Sequence, residues 1–232
     1  MRFDSPLIPG LFLRREKRFL AEVELTGGER VWVHVPNSGA LTGCMAPGLE
    51  LLLTRDARSG RKTLYTWRFS RIADGWTCID TLVPNRLIGK ALQGPGLPGC
   101  PPLVRCRPEV TLFGGGRLDF VADAGGHLLF IEVKSVTWVE NGVALFPDGV
   151  TSRGRRHLLE LQALARQGHE CWQIFVVQRG DAEIFRPAAR VDPAYAAELA
   201  RAHNNGVKIA VFQEIVTPPE ITLAESLPFD LI

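Results

Sequence analysis

A stretch rich in glycine and proline, QGPGLPGCPPL at residues 93–103, constrains the fold of this chain more than any other feature. Glycine and proline at this density interrupt both helical and strand periodicity, so the stretch is predicted to be a linker. Different patterns of apolar residues precede and follow it. The 232-residue chain is therefore expected to form one domain over residues 1–82, a helix and linker over 83–102, and a second domain over 103–232.

The first part contains only strand-like segments, separated by turn signals at TGG, NSG, RSGRK and ADG. The segments are FLAEVEL, RVWVHVP, LELLLTRD, TLYTWRFSRI and WTCIDTL. Five short strands with this spacing predict a small antiparallel barrel or sandwich, and an OB-fold-like barrel is the first choice. Its aromatic residues either fill the barrel core, which is favoured for most of them, or stack nucleic-acid bases while nearby arginines hold phosphates. The residues concerned are Phe12, Arg14, Arg15, Arg18, Trp32, Arg55, Trp67 and Arg68.

The second part alternates strands with helices, which predicts an α/β sheet. A helix over VPNRLIGKAL precedes the linker. RLDFVAD and HLLFIEVKSVTWV then form a hairpin through the AGG turn. A helix follows over TSRGRRHLLELQALARQ, with Thr151 or Ser152 as the cap and Gly168 as the stop. The strand CWQIFVVQ, a helix from DPAYAAELARAHNNG and the strand VKIAVFQEI complete the pattern.

The hairpin strand FIEVKSVT, residues 130–137, places two charged side chains within an apolar segment. Side chains alternate across a strand, so Glu132 and Lys134 point the same way. The AGG turn lets Asp119 of the first hairpin strand face them. Charge within a buried strand is costly unless it is paired or binds a metal. The alternative is an exposed hairpin edge with a surface ion pair, which the apolar context disfavours.

Two carboxylates on neighbouring strands suit Mg²⁺ or Mn²⁺, which prefer oxygen ligands. Asp119 and Glu132 are the predicted metal ligands, and Glu109, just upstream, could supply another oxygen. Lys134 could position a water molecule or stabilise charge on a phosphate in the transition state. The predicted catalytic set is therefore Asp119, Glu132, Lys134 and Glu109.

Three arginines, Arg153, Arg155 and Arg156, crowd the beginning of the helix that follows the hairpin. The helix dipole disfavours cations at this end, whereas a bound phosphate would favour them. Either these arginines form a phosphate site, or they form a solvated basic face paired with Asp148 and Glu160. Position favours the phosphate site, because the segment follows the Glu132 strand directly.

The composition restricts the class of protein. Hydrophobic residues make up 46% of the chain and charged residues 22%, with a formal charge of +2. No apolar run approaches the roughly 18 residues of a membrane helix, so no membrane contact is expected. MRFDSPLIPG lacks a signal-peptide core, and the five cysteines form no CxxC pair. These features predict a cytoplasmic protein with reduced thiols and no zinc site.

Seven motifs in order along nearly the whole chain resemble the sugar fermentation stimulation protein (SfsA) family. They are RFLAEVEL, HVPNSGAL, GRLDF, EVKSVT, FPDGVTSRGRRHLLEL, DPAYAAELARAHNNGVKI and TPPEITL. Within them, the Asp followed by Glu-x-Lys resembles the PD-(D/E)xK nuclease superfamily. The chain departs from the family pattern at four positions, none of them a predicted metal ligand: Ala40, Gly116, Gly149 and Ser152.

The resemblance implies an N-terminal OB-fold-like domain, a C-terminal α/β restriction-endonuclease-like domain, and DNA binding. It also implies that Asp119, Glu132 and Lys134, with Glu109, form the metal and catalytic set. The expected nucleic-acid contacts are Arg15, Arg18, Asn37, Ser38, Arg117, Arg153, Arg155 and Arg156.

Three functions stay open at this stage. The first is a Mg²⁺-dependent phosphodiesterase acting on DNA with little sequence preference. The second is a non-catalytic DNA-binding regulator of sugar metabolism genes that retains a nuclease fold, although no helix-turn-helix is evident. The third is a role with RNA or a structural role. The sequence also leaves the oligomeric state open, a homodimer included.

Overall fold

The fold is described from a computed structural model, which covers residues 1–56, 62–111 and 116–231. The N-terminal part is a closed five-stranded barrel, and the C-terminal part is an α/β domain around a six-stranded sheet. The predicted fold class is thereby confirmed. The predicted turn at RSGRK lies mostly outside the described residues.

Five strands close the N-terminal barrel in the order β1-β2-β3-β5-β4, with β4 returning to β1. A sixth strand pairs only with β5, outside the ring. The strands are β1 (Leu7–Glu16), β2 (Leu20–Leu25), β3 (Arg30–His34), β4 (Glu50–Arg55), β5 (Tyr65–Ile72) and β6 (Gly75–Cys78).

The set of barrel strands differs from the sequence prediction at both ends. Strand β1 was not predicted, because Pro9 and Gly10 interrupt its apolar pattern. Gly10 is required there by packing, since a Cβ atom on it would lie 2.6 Å from Cγ1 of Val23 on β2. The predicted strand WTCIDTL ends at Cys78 and is not part of the closed ring.

Most aromatic residues of the barrel pack inside it, as the composition favoured. Phe12 and Trp67 are buried and lie 5.3 Å apart between ring centroids. Trp32 and Phe19 are exceptions, because they are 36% and 50% exposed, and the guanidinium of Arg14 lies over the Trp32 ring. Base stacking by the buried rings is therefore excluded.

The C-terminal sheet has the order β15-β14-β12-β9-β8-β7. Strands β9, β12 and β14 are parallel, and the outer strands pair antiparallel. A small second sheet has the order β10-β11-β13. The strands are β7 (Arg105–Thr111), β8 (Arg117–Asp123), β9 (Leu128–Val136), β10 (Trp138–Glu140), β11 (Val143–Phe146), β12 (Glu170–Val177), β13 (Ile184–Pro187), β14 (Lys208–Thr217) and β15 (Glu220–Ser226).

Three helices flank these sheets: α1 (Leu82–Gln93), α2 (Ser152–Arg166) and α3 (Pro193–Asn204). The predicted caps of α2 are confirmed, because the Thr151 side chain accepts a hydrogen bond from the Gly154 N–H and Gly168 follows its last turn with φ +87°. Asp192 caps α3 in the same way through the Tyr195 N–H.

The two faces of β9 belong to different cores, as alternation requires. Phe130 and Val136 pack with α2 and α3, whereas Ile131 and Val133 pack with α1 on the other face. Helix α1 therefore packs on the six-stranded C-terminal sheet, and Leu97 of the Gly- and Pro-rich stretch is buried in the same cluster.

The two domains are packed together rather than separated by the linker. A shared apolar cluster joins Phe69 and Cys78 of the barrel to Leu87 of α1 and Ile221 of β15. Within the described ranges, no helix is long and apolar enough to cross a membrane. All five cysteines are free.

Candidate metal and nucleic-acid site

A polar cleft of about 550 Å³ lies between the barrel and the C-terminal domain. Its floor includes Asp119, Glu132 and Lys134, the set predicted from the hairpin. The barrel side of its wall includes Arg18 and Ser38, and the beginning of α2 contributes Arg153. The structure thus brings Asp119, Glu132, Lys134 and two of the predicted arginines to one opening.

Asp119 lies where the two hairpin strands separate. The ladder between β8 and β9 ends at the pair Phe120 and Ile131. Beyond it, the Asp119 side chain takes the place of a backbone acceptor, because its Oδ2 receives the N–H of Val133 at 2.8 Å. Its Oδ1 accepts from Nδ2 of Asn85 on α1 at 2.7 Å. The carboxylate is therefore fixed from two elements, and each oxygen keeps a lone pair.

Glu132 is buried, with 3% of its surface exposed. Its Oε1 contacts both Nζ of Lys134 and Nδ1 of His157 on α2. Its Oε2 is also buried and has no hydrogen-bond partner among the described residues. A buried carboxylate oxygen without a partner is costly, so this atom marks a position that a cation would complete.

The pKa values of the two carboxyl groups are shifted in opposite directions. Burial raises the pKa of Asp119, and the negative charge of Glu132 adds to this effect. Burial also opposes ionisation of Glu132, but the hydrogen bond from His157 and the charge of Lys134 outweigh it, so its pKa is lowered. Two acids with such different environments are typical of functional sites.

The donor set fits a hard divalent cation. Mg²⁺ is commonly held by one or two carboxylates together with waters and substrate phosphates. Asp119 and Glu132 can supply the two carboxylates, and the partnerless Oε2 of Glu132 supports the fit. No group of three or more His, Cys, Asp or Glu side chains arranged for a metal occurs in the described part of the chain. With two protein carboxylates, the remaining coordination positions would be filled by waters or phosphate oxygens.

Glu109 and Arg117 lie outside the cleft lining. The register of β7 and β8 places Glu109 opposite Asp119. Its side chain is nevertheless 70% exposed and ion-pairs with Arg117 at 3.7 Å. The structure therefore does not bring Glu109 together with the other three members of the predicted catalytic set.

Arg15 and Asn37 support the barrel wall from within. The Arg15 guanidinium donates to the carbonyls of Gly39 and Asn37, both at 2.8 Å, and to that of Arg18. The Asn37 side chain donates to the Ile79 carbonyl at 3.0 Å and accepts from the Gly39 N–H at 2.8 Å. These polar groups hold the NSG turn, whereas Ser38 and Arg18 are exposed.

Asp148 joins the NSG turn to the C-terminal domain. Its Oδ2 accepts the backbone N–H of Leu41 at 2.9 Å. Gly39 permits this approach, because a Cβ atom there would lie 2.7 Å from the same oxygen. Among the described residues, Asp148 makes no ion pair with the α2 arginines, which the basic-face alternative had predicted. It instead ties the NSG turn to the C-terminal domain.

The three arginines at the beginning of α2 have different surroundings. Arg153 lines the cleft, and its Nε lies 3.4 Å from Nε2 of His157. Arg156 lies 3.5 Å from Glu160, one turn along the helix. Arg155 is exposed and outside the cleft lining. Arg153 thus remains a candidate to contact a phosphate, whereas Arg156 belongs to a solvated basic face paired with Glu160.

His157 and Asn85 were missed by the sequence analysis. His157 is 2% exposed and adjoins the inward stripe of α2 that includes Leu161, one turn later. That spacing was the available signal, but a histidine on such a stripe indicates core packing as readily as a site. Asn85 carried no signal, because only the packing of α1 brings it to Asp119.

Comparisons with protein families identify both parts of the chain. Residues 13–79 match the family model described as the SfsA N-terminal OB domain. Residues 82–220 match the model described as the sugar fermentation stimulation protein RE domain.

Curated relatives are similar over the full length. Proteins described as sugar fermentation stimulation protein homologs are 42% identical in Geobacter metallireducens, with coverage of 98% of this chain and 99% of that protein, and 42% identical in Pseudomonas paraeruginosa, with full coverage of both. A solved structure, described as Pyrococcus furiosus SfsA in complex with Ca²⁺, is similar with a TM-score of 0.88 and 29% identity. That match covers 99% of this chain and 98% of the other.

Proposed function

The chain belongs to the sugar fermentation stimulation protein family, and we propose that it is a DNA-binding protein, largely tolerant of sequence, with a Mg²⁺-dependent phosphodiesterase site. The observation that carries this proposal is Glu132, a buried carboxylate with a partnerless oxygen, lining the same cleft as Asp119. The Pyrococcus furiosus relative, described in complex with Ca²⁺, supports a divalent cation. Mn²⁺ is the alternative to Mg²⁺.

The residues of the cleft have separate tasks in this proposal. Asp119 and Glu132 hold the cation, which when bound supplies positive charge to a phosphodiester. Lys134, whose side chain is 13% exposed, presents its ammonium beside Glu132 and stabilises negative charge that develops on the phosphate. Because Asn85 and the Val133 N–H fix Asp119 before any substrate arrives, the site is preorganised.

Nucleic acid is expected to lie across the cleft and contact both domains. Arg18 of the barrel and Arg153 of α2 lie on opposite sides and are both exposed. We expect them to contact backbone phosphates, and such contacts carry no base information. Binding should therefore tolerate many sequences and weaken strongly as salt is added.

The proposal is tested by cleavage of labelled single- and double-stranded DNA and RNA with Mg²⁺ or Mn²⁺. Lys134→Ala and Asp119→Ala are expected to reduce cleavage by about 10²-fold or more, since each removes charge from the reacting centre. Lys208→Ala is the matched control. Lys208 also pairs with a glutamate of the same sheet, Glu170, at 2.7 Å but lies outside the cleft, so its loss should leave cleavage unchanged.

Two outcomes would contradict the phosphodiesterase. Binding of DNA without cleavage under all metal conditions would leave the non-catalytic DNA-binding regulator as the better account. Cleavage that persists in both cleft variants would place the reaction elsewhere in the chain. Preferential cleavage of RNA would retain the chemistry and change the substrate.

A further inference from the structure

His157 contacts the cleft machinery without lining the cleft. It is 2% exposed and lies on α2, 25 residues along the chain from Glu132. Its Nδ1 contacts Oε1 of Glu132 and lies 3.3 Å from Nζ of Lys134. No step in the proposed function uses this residue, although it is buried against both charged groups.

The surroundings of its ring define which nitrogen carries the proton. Nε2 of His157 faces Nε of Arg153 at 3.4 Å. A guanidinium nitrogen can only donate, so Nε2 must act as the acceptor. A neutral imidazole with Nε2 as acceptor carries its proton on Nδ1. The Lys134 ammonium, 3.3 Å from Nδ1, can also only donate, but Nδ1 lies closer to Oε1 of Glu132, and a carboxylate oxygen accepts. Nδ1 therefore donates to Oε1, and Arg153 at Nε2 selects the same tautomer.

The two oxygens of Glu132 are consequently unequal. Oε1 receives two donors, Nζ of Lys134 and Nδ1 of His157, whereas Oε2 has no partner in the described part of the chain. Two donors from different elements prevent the carboxylate from rotating about its last bond. Oε2 is thereby kept available for a ligand.

We infer that His157 is the positioning residue of the cleft: its Nδ1–H fixes Oε1 of Glu132 so that Oε2 is presented to a divalent cation, and Arg153 sets its tautomer. This inference rests on the metal site of the proposed function but not on cleavage. Residues that orient a metal ligand through a hydrogen bond raise metal affinity about 10- to 100-fold in other proteins.

The test is calorimetric titration of the full chain with Mn²⁺ in the absence of nucleic acid. His157→Leu fills a similar volume with an apolar side chain and removes the donor, so Mn²⁺ binding is expected to weaken about 10-fold or more. His157→Asn replaces the donor with an amide that reaches a similar position, so its affinity should stay near that of the unmodified protein. The difference between the two variants shows whether the hydrogen bond donated by His157 matters, or only the volume of its side chain.

Gln162→Leu is the matched control. Gln162 is equally buried on α2, and its amide donates to Glu198 at 2.7 Å, away from the cleft. Its substitution removes a buried polar group from the same helix and should leave Mn²⁺ affinity unchanged. Equal weakening by Gln162→Leu and His157→Leu, or equal weakening by His157→Asn and His157→Leu, would overturn the positioning role.

A second measurement reads the tautomer directly. Long-range ¹⁵N NMR of the full chain, with the His157 signals assigned by their loss in His157→Asn, should show Nδ1 protonated and Nε2 unprotonated. In Arg153→Ala, Nε2 of His157 loses the neighbouring donor, so the proton should no longer be confined to Nδ1. An Nε2-protonated His157 in the unmodified protein would overturn the inference.

The failure of this inference is distinguishable from the failure of the proposed function. Mn²⁺ binding with the expected variant pattern but without nucleic-acid cleavage would remove the phosphodiesterase and retain the role of His157. Cleavage that depends on Asp119 and Lys134, with Mn²⁺ affinity unchanged in His157→Leu, would retain the phosphodiesterase and remove the role of His157. A protein that binds no Mn²⁺ under any condition would overturn both.

Discussion

At the scale of single residues, similar side chains on the barrel side of the cleft have different tasks. The Arg15 guanidinium is occupied by three backbone carbonyls, whereas Arg18, three residues later, is exposed at the cleft. Burial lowers the pKa of Arg15, as expected for a cation removed from water. Both arginines were predicted to contact nucleic acid, and their environments now predict opposite phenotypes.

Arg15→Ala is expected to lower the free energy of unfolding by about 2 kcal/mol or more, because it leaves the carbonyls of Gly39 and Asn37 without their charged donor. Arg18→Ala should leave stability within about 0.5 kcal/mol, since its side chain is exposed. Urea unfolding measures both values. Equal stability of the two variants would contradict the structural role of Arg15.

Arg15 and Arg18 should also differ in how much they contribute to DNA binding. If Arg18 contacts a phosphate, Arg18→Ala reduces the slope of log affinity against log salt by about one. The measurement is fluorescence anisotropy with a labelled oligonucleotide at several salt concentrations. An unchanged slope would remove Arg18 from the proposed interface.

At the scale of elements, the beginning of α1 connects the barrel to the carboxylate floor. Thr81 occupies the N-cap position without a side-chain bond, and Asp80 instead accepts the Leu82 N–H at 3.0 Å. Asp80 is 2% exposed and also ion-pairs with Arg68 of β5. One turn into the helix, Asn85 donates to Asp119. A single buried carboxylate thus anchors the helix that orients a predicted metal ligand.

Asp80→Ala is expected to lower the free energy of unfolding by about 3 to 5 kcal/mol, because it leaves the largely buried Arg68 without its partner and α1 without its cap. Asp74→Ala is the control, since Asp74 lies exposed in the turn between β5 and β6. Its substitution should change stability by no more than about 0.5 kcal/mol. A small effect of Asp80→Ala, measured by urea unfolding, would mean that the ion pair contributes little.

At the scale of the whole molecule, the two domains share buried structure and should unfold together. Besides the common apolar cluster, the β14 residue Glu214 is 1% exposed and lies close enough to Asp80 and Cys78 to affect their environment. Burial raises the pKa of Glu214 well above its ordinary value of 4.5, and the Asp80 carboxylate acts in the same direction. Glu214 is therefore protonated in the folded protein over a range in which the unfolded chain is ionised.

The sign of the pH effect follows from this raised pKa. The stability associated with protonated Glu214 is complete below about pH 4.5 and is lost as the pH rises towards the folded-state pKa, because the unfolded chain then binds fewer protons. The loss reaches about 1.4 kcal/mol per pH unit. Glu214→Gln should therefore be more stable than the unmodified protein at neutral pH, by a margin that grows with pH.

Urea unfolding at several values between pH 5 and pH 8 measures this margin. Glu220→Gln is the control, because Glu220 is 56% exposed and pairs with Arg2 at the surface. Its substitution should shift stability little and without a trend in pH. A Glu214→Gln margin that does not vary with pH would show that Glu214 is ionised in the folded protein.

The sequence by itself determined the features that depend on local periodicity. Alternation along β9 placed Glu132 and Lys134 on one face, and the AGG turn placed Asp119 beside them, because a strand repeats every two residues and a hairpin fixes its register. The caps of α2 were equally local. Strand β1 was not predicted from local pattern, because its Gly10 is explained by packing against β2 rather than by its neighbours in the chain.

Only the tertiary structure decided which distant groups meet at the cleft. His157 reaches Glu132 because one face of α2 packs over β9, and Asn85 reaches Asp119 because α1 packs on the other side. The same packing occupies Arg15 and Asn37 within the NSG turn and leaves Glu109 exposed. These contacts join residues far apart in the chain, and the pattern of neighbouring residues holds no information about which helix face covers a charge.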